Sequence, residues 1–138
     1  MLVRLIYYSS VGNIKSMADI QEILDKSQKN NAAKSISGML YFDDNYFIQV
    51  LEGDRKLLSE LMFKISKDER HTNIVIVNMT EISQRMFSKW SMMNAAGIKM
   101  DKETLMQFST SGTTFDPNQL TQANFDALVQ YIYNQMSK

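Results

Sequence analysis

The chain has 138 residues, 44% of them apolar and 22% charged, which is the balance of an ordinary globular domain able to bury a core without staples. Its 15 basic residues cancel its 15 acidic ones with no dense Lys/Arg run, so the electrostatic footprint of a nucleic-acid binder is missing. The absence of cysteine excludes disulfides, thiolate catalysis and cysteine metal sites, and one histidine, His71, cannot build a histidine-rich metal centre.

The run Leu2-Val3-Arg4-Leu5-Ile6-Tyr7-Tyr8-Ser9 has strand length and an internal charge. It fits neither a signal peptide nor a membrane span, so a cytoplasmic protein with no membrane partner is expected. Alternation sends Val3, Leu5, Tyr7 and Ser9 to one face and Leu2, Arg4, Ile6 and Tyr8 to the other. After a turn at Gly12-Asn13, Ser16 and Asp19 have the spacing of a capping box. Met17, Ile20, Leu24 and Ser27 then predict a helix from about 17 to 29, ended by Lys29-Asn30-Asn31. Residues 36–42 predict a second strand, turned by Asp43-Asp44-Asn45 into a third over 46–53. The third strand is apolar on both faces except at Gln49, whose amide would cost roughly a few kcal/mol if buried without partners. A neighbour or a ligand must therefore meet it.

Asp54 can cap a second helix whose buried stripe is Leu57, Leu58, Leu61, Met62 and Ile65, ending near Lys67. Residues 73–79 predict a fourth strand, and 90–94 a short fifth reached through the loop containing Arg85. The order predicts an α+β, ferredoxin-like βαββαββ sheet with both helices on one face and the first and third strands adjacent and parallel at its centre. Tyr7 and Gln49 then lie on neighbouring strands, where the phenol is a ready partner for the amide.

Beyond residue 98 the composition changes. A helical patch over 102–106 and a polar loop over 109–114 lead to Asp116-Pro117-Asn118-Gln119, a helix start, and one helix is predicted from about 117 to 136. Phe125, Leu128, Val129, Ile132 and Met136 share one face, which needs either the free side of the sheet or a second copy of the chain. The expected division is a domain over 1–98 and a C-terminal helical extension over 99–138, with no attached output domain.

No hydrolytic motif ties a serine to His71, the pairs Asp43-Asp44 and Asp68-Glu69 lack the other ligands of a calcium loop, and no glycine-rich phosphate loop occurs. Six blocks in order do stand out: Leu5-Ile6-Tyr7-Tyr8-Ser9, Ser27-Gln28-Lys29-Asn30-Asn31, Ile36-Ser37-Gly38-Met39-Leu40, Phe47-Ile48-Gln49-Val50-Leu51-Glu52-Gly53, Asp68-Glu69-Arg70-His71, and Arg85-Met86-Phe87-Ser88-Lys89-Trp90-Ser91-Met92. Together they resemble the BLUF family, the blue-light sensors using flavin, from about residue 2 to residue 96.

The resemblance implies a photoreceptor and not an enzyme, with flavin bound non-covalently as FAD, FMN or riboflavin. It places the photoactive tyrosine on Tyr7 and the switching glutamine on Gln49. The polar edge of the flavin falls to Asn31, with Asn30 beside it, and the ribityl and phosphate end to Asp68, Arg70 and His71. Ser27 lines the pocket, and Trp90 and Met92 occupy the strand-five positions beside the glutamine. A slot between the helices lined by Ile20, Ile23, Leu24 and Leu57 suits a flat heteroaromatic ring. In the implied mechanism Tyr7 gives an electron and a proton to the light-excited flavin, and Gln49 rearranges and reddens the absorption. The signal is expected to leave through a downstream protein or a homo-oligomer, by way of strand five and the C-terminal helices. A flavin-dependent redox enzyme, a small-molecule-binding regulatory domain or an acylphosphatase-like hydrolase could use the same fold.

Overall fold

The computed structural model describes residues 1–14, 16–108 and 114–137. It orders them as β1 (Leu2–Val11), α1 (Met17–Ala33), β2 (Ser37–Phe42), β3 (Tyr46–Asp54), α2 (Arg55–Ser66), β4 (His71–Glu81), β5 (Met93–Asn94), α3 (Lys102–Phe108), a 3-10 turn (Pro117–Gln119) and α4 (Gln122–Met136). The strands form one sheet in the order β4-β1-β3-β2-β5, the ferredoxin-like arrangement the sequence predicts. One expectation is corrected: β1 and β3 are adjacent but antiparallel. The β2–β3 hairpin reverses the chain, while the crossover through α1 leaves β1 and β2 running the same way, so a strand inserted between them must oppose both. In that register Tyr7 lies directly opposite Gln49.

Local chemistry explains the boundaries. The Ser16 N–H donates to Asp19 Oδ2 at 3.2 Å, and Asp54 Oδ2 accepts from the N–H groups of Lys56 at 3.1 Å and Leu57 at 3.4 Å. Helix α1 does not stop at Asn31, because that side chain is buried and engaged elsewhere; the left-handed residue after the helix is Ser35, at φ 55°. A Cβ at Gly38 would overlap the Val50 carbonyl oxygen, so close contact between β2 and β3 requires glycine there. The single helix expected from about 117 is broken: the 3-10 turn ends at Leu120 with extended backbone, and α4 starts from Thr121, whose side chain and that of Asn124 form a reciprocal cap. This second capping signal, five residues after the cap at Asp116, restarts the helix after the extended Leu120.

Both faces of the sheet are covered. Val3, Leu5, Tyr7, Leu40, Phe47 and Leu51 pack with Ile20, Ile23, Leu24 and Leu58 on the α1/α2 side. Ile6, Tyr8, Met39, Tyr41, Ile48 and Val50 pack with Phe125, Leu128, Val129 and Ile132 of α4 on the other. Tyr8 therefore points away from Tyr7, stacked on Phe125 at 5.7 Å, with its hydroxyl donating to Asn118 Oδ1 at 2.7 Å. None of the described helices is long and apolar enough to cross a membrane.

Candidate functional site

A cleft opens between α1 and α2 above the centre of β3. Eight residues singled out from the sequence line it: Ile23, Ser27, Asn30, Asn31, Gln49, Asp68, Arg70 and His71. Tyr7 lies beneath it, fully buried, with its hydroxyl donating a hydrogen bond to Gln49 Oε1. That bond orients the amide and turns Gln49 Nε2 toward Met92 Sδ, 3.8 Å away. Burial, reinforced by the charge of Asp68, pushes the Tyr7 phenol well above its ordinary range, so it stays a proton donor.

Helix α1 contributes two amides one turn apart that reach the same segment. Asn31 Nδ2 donates to the Ser91 carbonyl at 2.9 Å, and Gln28 Nε2 to the Met92 carbonyl at 3.2 Å. With its nitrogen so engaged, Asn31 offers Oδ1 as an acceptor to a donor entering the cleft. Met92, and not Trp90, thus stands against Gln49. Trp90 belongs to the opposite core, 6.4 Å from the rings of both Phe87 and Tyr133. The resemblance set both residues at strand-five positions beside the glutamine, but residues 90–92 are not a strand and only Met92 is found there.

At the cleft mouth Arg70 clamps Asp68, with Nε to Oδ1 at 3.0 Å and Nη2 to Oδ2 at 2.8 Å, and these hydrogen bonds hold the Asp68 carboxyl at about 2. The His71 ring packs at a tilt of 44° against Phe47, centroids 4.5 Å apart, and its Nδ1 lies 3.2 Å from Ser9 Oγ. Burial lowers its pKa to about 4 against the opposing pull of Asp68. Since the unfolded value is 6.5, the unfolded chain binds more protons between those limits. The stability of flavin-free protein should accordingly be full above pH 6.5 and decline by about 3 kcal/mol as pH falls toward 4. Urea midpoints across that range should fall for the parent chain and stay flatter in His71→Gln.

Sequence reasoning missed Gln28, Ser9, Lys26 and Lys64. Only the last two face the cleft, and as isolated surface-type lysines they carry no distinguishing pattern. The assembled lining has amides at the inner end, aliphatic walls from Ile23, Leu61 and Ile65, and cations at the mouth from Lys26, Lys64 and Arg70. A flat heteroaromatic with one hydrogen-bonding edge and an anionic tail fits this set, so the residues present suit a flavin. Among the described residues no cluster of three or more His, Cys, Asp or Glu could hold a metal ion.

A buried Tyr–Gln pair flooring such a cleft on a ferredoxin-like sheet is the arrangement expected of the flavin-based light sensors that the sequence resembles. Residues 2–93 match the family model for BLUF, "Sensors of blue-light using FAD", and the chain belongs to that family. It is 34% identical over 95 residues to photoactivated adenylate cyclase subunit beta of Euglena longa, covering 68% of this chain and 11% of that one. It is 30% identical over 92 residues to the blue light- and temperature-regulated antirepressor BluF of Escherichia coli (strain K12), covering 67% and 23%. The chain thus spans only a small part of these curated relatives. Among solved structures, the photo-activated state of BlsA superimposes with a TM-score of 0.87 at 31% identity, covering 96% of this chain and 95% of that one. The dark-state structure of BlrB gives 0.66 at 33% identity, covering 78% and 77%.

Proposed function

We propose that this chain is a blue-light photoreceptor that takes a flavin non-covalently between α1 and α2, as FAD, with FMN or riboflavin satisfying the same ring site. The observation that carries the reading is the hydrogen-bonded line from Tyr7 through Gln49 to Met92 at the floor of a cleft edged by Asn31. When bound, the flavin supplies a chromophore that blue light converts into an oxidant. Tyr7 would give up an electron to that oxidant, its phenol, made strongly acidic, would pass its proton to Gln49 Oε1, and both would return to Tyr7 as the amide settles in a new arrangement, so that no net redox change remains. The amide loses the donor that fixed its orientation and exchanges the groups it presents. A stronger hydrogen bond is then donated into the cleft, and the absorption moves to the red. Asn30, Asn31, Ser27 and Ile23 hold the ring end, and Asp68, Arg70 and His71 the tail.

No substrate is turned over in this cycle. We read residues 1–98 as the sensor and 99–138 as a helical extension, in a cytoplasmic protein acting on a downstream protein or a changed homo-oligomer. The effector activities in the names of the two curated relatives support a protein partner. Contact of Trp90 and Phe87, in the segment leading into β5, with Tyr133 of α4 supports a route through that segment to the C-terminal helices.

The deciding measurement is the visible spectrum before and after blue light. Purified protein should be yellow and its flavin bands should move reversibly to the red without bleaching. Lasting bleaching to reduced flavin would assign a redox enzyme instead, and a chain that binds no flavin would overturn the reading.

A further inference from the structure

Trp90 and Met92 are two residues apart, yet they stand on opposite sides of the sheet. In extended chain they would share a face, so something holds this segment out of strand conformation. Three consecutive carbonyls are captured by three different donors: Trp90 by the Gly38 N–H at 3.0 Å, Ser91 by Asn31 and Met92 by Gln28. These fix the segment where it arrives. Its departure is fixed by Glu52, whose side chain is wholly buried. Glu52 Oε2 accepts from Arg4 Nε at 3.0 Å, Arg4 Nη2 at 2.8 Å and the Met86 N–H at 2.9 Å, and Oε1 accepts from the Phe87 N–H at 2.7 Å. The Trp90 N–H then closes on the Phe87 carbonyl at 3.1 Å, which leaves little slack between this anchor and Met92.

We propose that Glu52 is a positioning residue of the light switch: by fixing residues 86 and 87 it sets the path that delivers Met92 to Gln49. The proposal rests on Gln49 being the switching amide. The chemistry makes it testable. A glutamine at position 52 has one acceptor oxygen for two sets of donors, so in either orientation its NH2 faces an N–H and at least one backbone anchor is lost. Replacing Arg4, in contrast, removes a partner of Glu52 and leaves both backbone anchors in place.

The experiment compares flavin-loaded parent, Glu52→Gln and Arg4→Gln proteins carrying 13C-methyl methionine, with Met92→Leu identifying the signal. In Glu52→Gln the Met92 methyl should move toward its random-coil position, its nuclear Overhauser contact to the Gln49 amide should vanish, and dark recovery should change by about fivefold, the scale of one lost hydrogen bond. Arg4→Gln, whose amide still donates to the buried Glu52 carboxylate, should match the parent in the methyl position and the Gln49 contact. Should Glu52→Gln fail to fold, the double variant Arg4→Met/Glu52→Gln, which leaves no unpaired charge, carries the same expectation. An intact Met92–Gln49 contact without Glu52, or its equal loss in Arg4→Gln, overturns the proposal. If the parent binds no flavin the functional reading fails, and the methyl signals still report on Glu52.

Discussion

Tyr7→Phe should give a folded, yellow protein in which blue light produces no red-shifted state. The phenyl ring keeps the fully buried packing of Tyr7 against its neighbours, so the loss is confined to the hydroxyl. That hydroxyl is the donor to Gln49 Oε1 and the one group in the line with a transferable proton. Without it the amide is also released to rotate in the dark, so the variant should show a displaced resting spectrum as well as a silent one. Tyr8→Phe is the matched control. Its hydroxyl bonds Asn118 on the α4 side, and removing that bond should cost about 1 kcal/mol of stability and leave the photocycle running. Illumination difference spectra of the two variants decide the matter, and the reverse pattern would sink the assignment of the photoactive residue.

Truncation after Lys102 should convert the protein into an aggregating one. It removes Phe125, Leu128, Val129 and Ile132, all buried, and bares Ile6, Tyr8, Met39, Tyr41, Ile48 and Val50. At about 1.5–3 kcal/mol for each lost side chain, four such losses rival the roughly 5–15 kcal/mol that holds a whole domain folded. Size-exclusion chromatography of the fragment should show loss of monodisperse protein. Any fraction that stays folded should retain the red shift, because Tyr7, Gln49 and Asn31 lie on the opposite side of the sheet from α4. A soluble, folded fragment without photochemistry would mean that the C-terminal helices belong to the sensor itself.

The Tyr7–Gln49 pair was legible because two local rules meet there. Strand alternation put Tyr7 and Tyr8 on opposite faces, and the order of elements put β1 beside β3. The direction of β3 relative to β1 needed a third rule, that a hairpin inserted between parallel strands opposes both, and the parallel expectation failed for want of it. The position of Trp90 could not be read from alternation at all, since it depends on three donors from β2 and α1 taking successive carbonyls. Glu52 and Gln28 were visible within the quoted motifs, but nothing near them in sequence marks their partners. Apart from Arg4, those partners are backbone groups, 34 residues on for the Glu52–Met86 contact and 64 for Gln28–Met92, and backbone groups leave no signature in side-chain pattern.

The burial of the floor of the cleft has a consequence for what the molecule can sense. Tyr7 is held far on the protonated side, His71 is neutral above about 4, and Asp68 is ionised above about 2. None of these three groups changes charge between about pH 5 and 9. A chemical signal that moves acidity within the cell's working range therefore finds no handle on them. If the site works as proposed, its colour response should be flat between about pH 5 and 9.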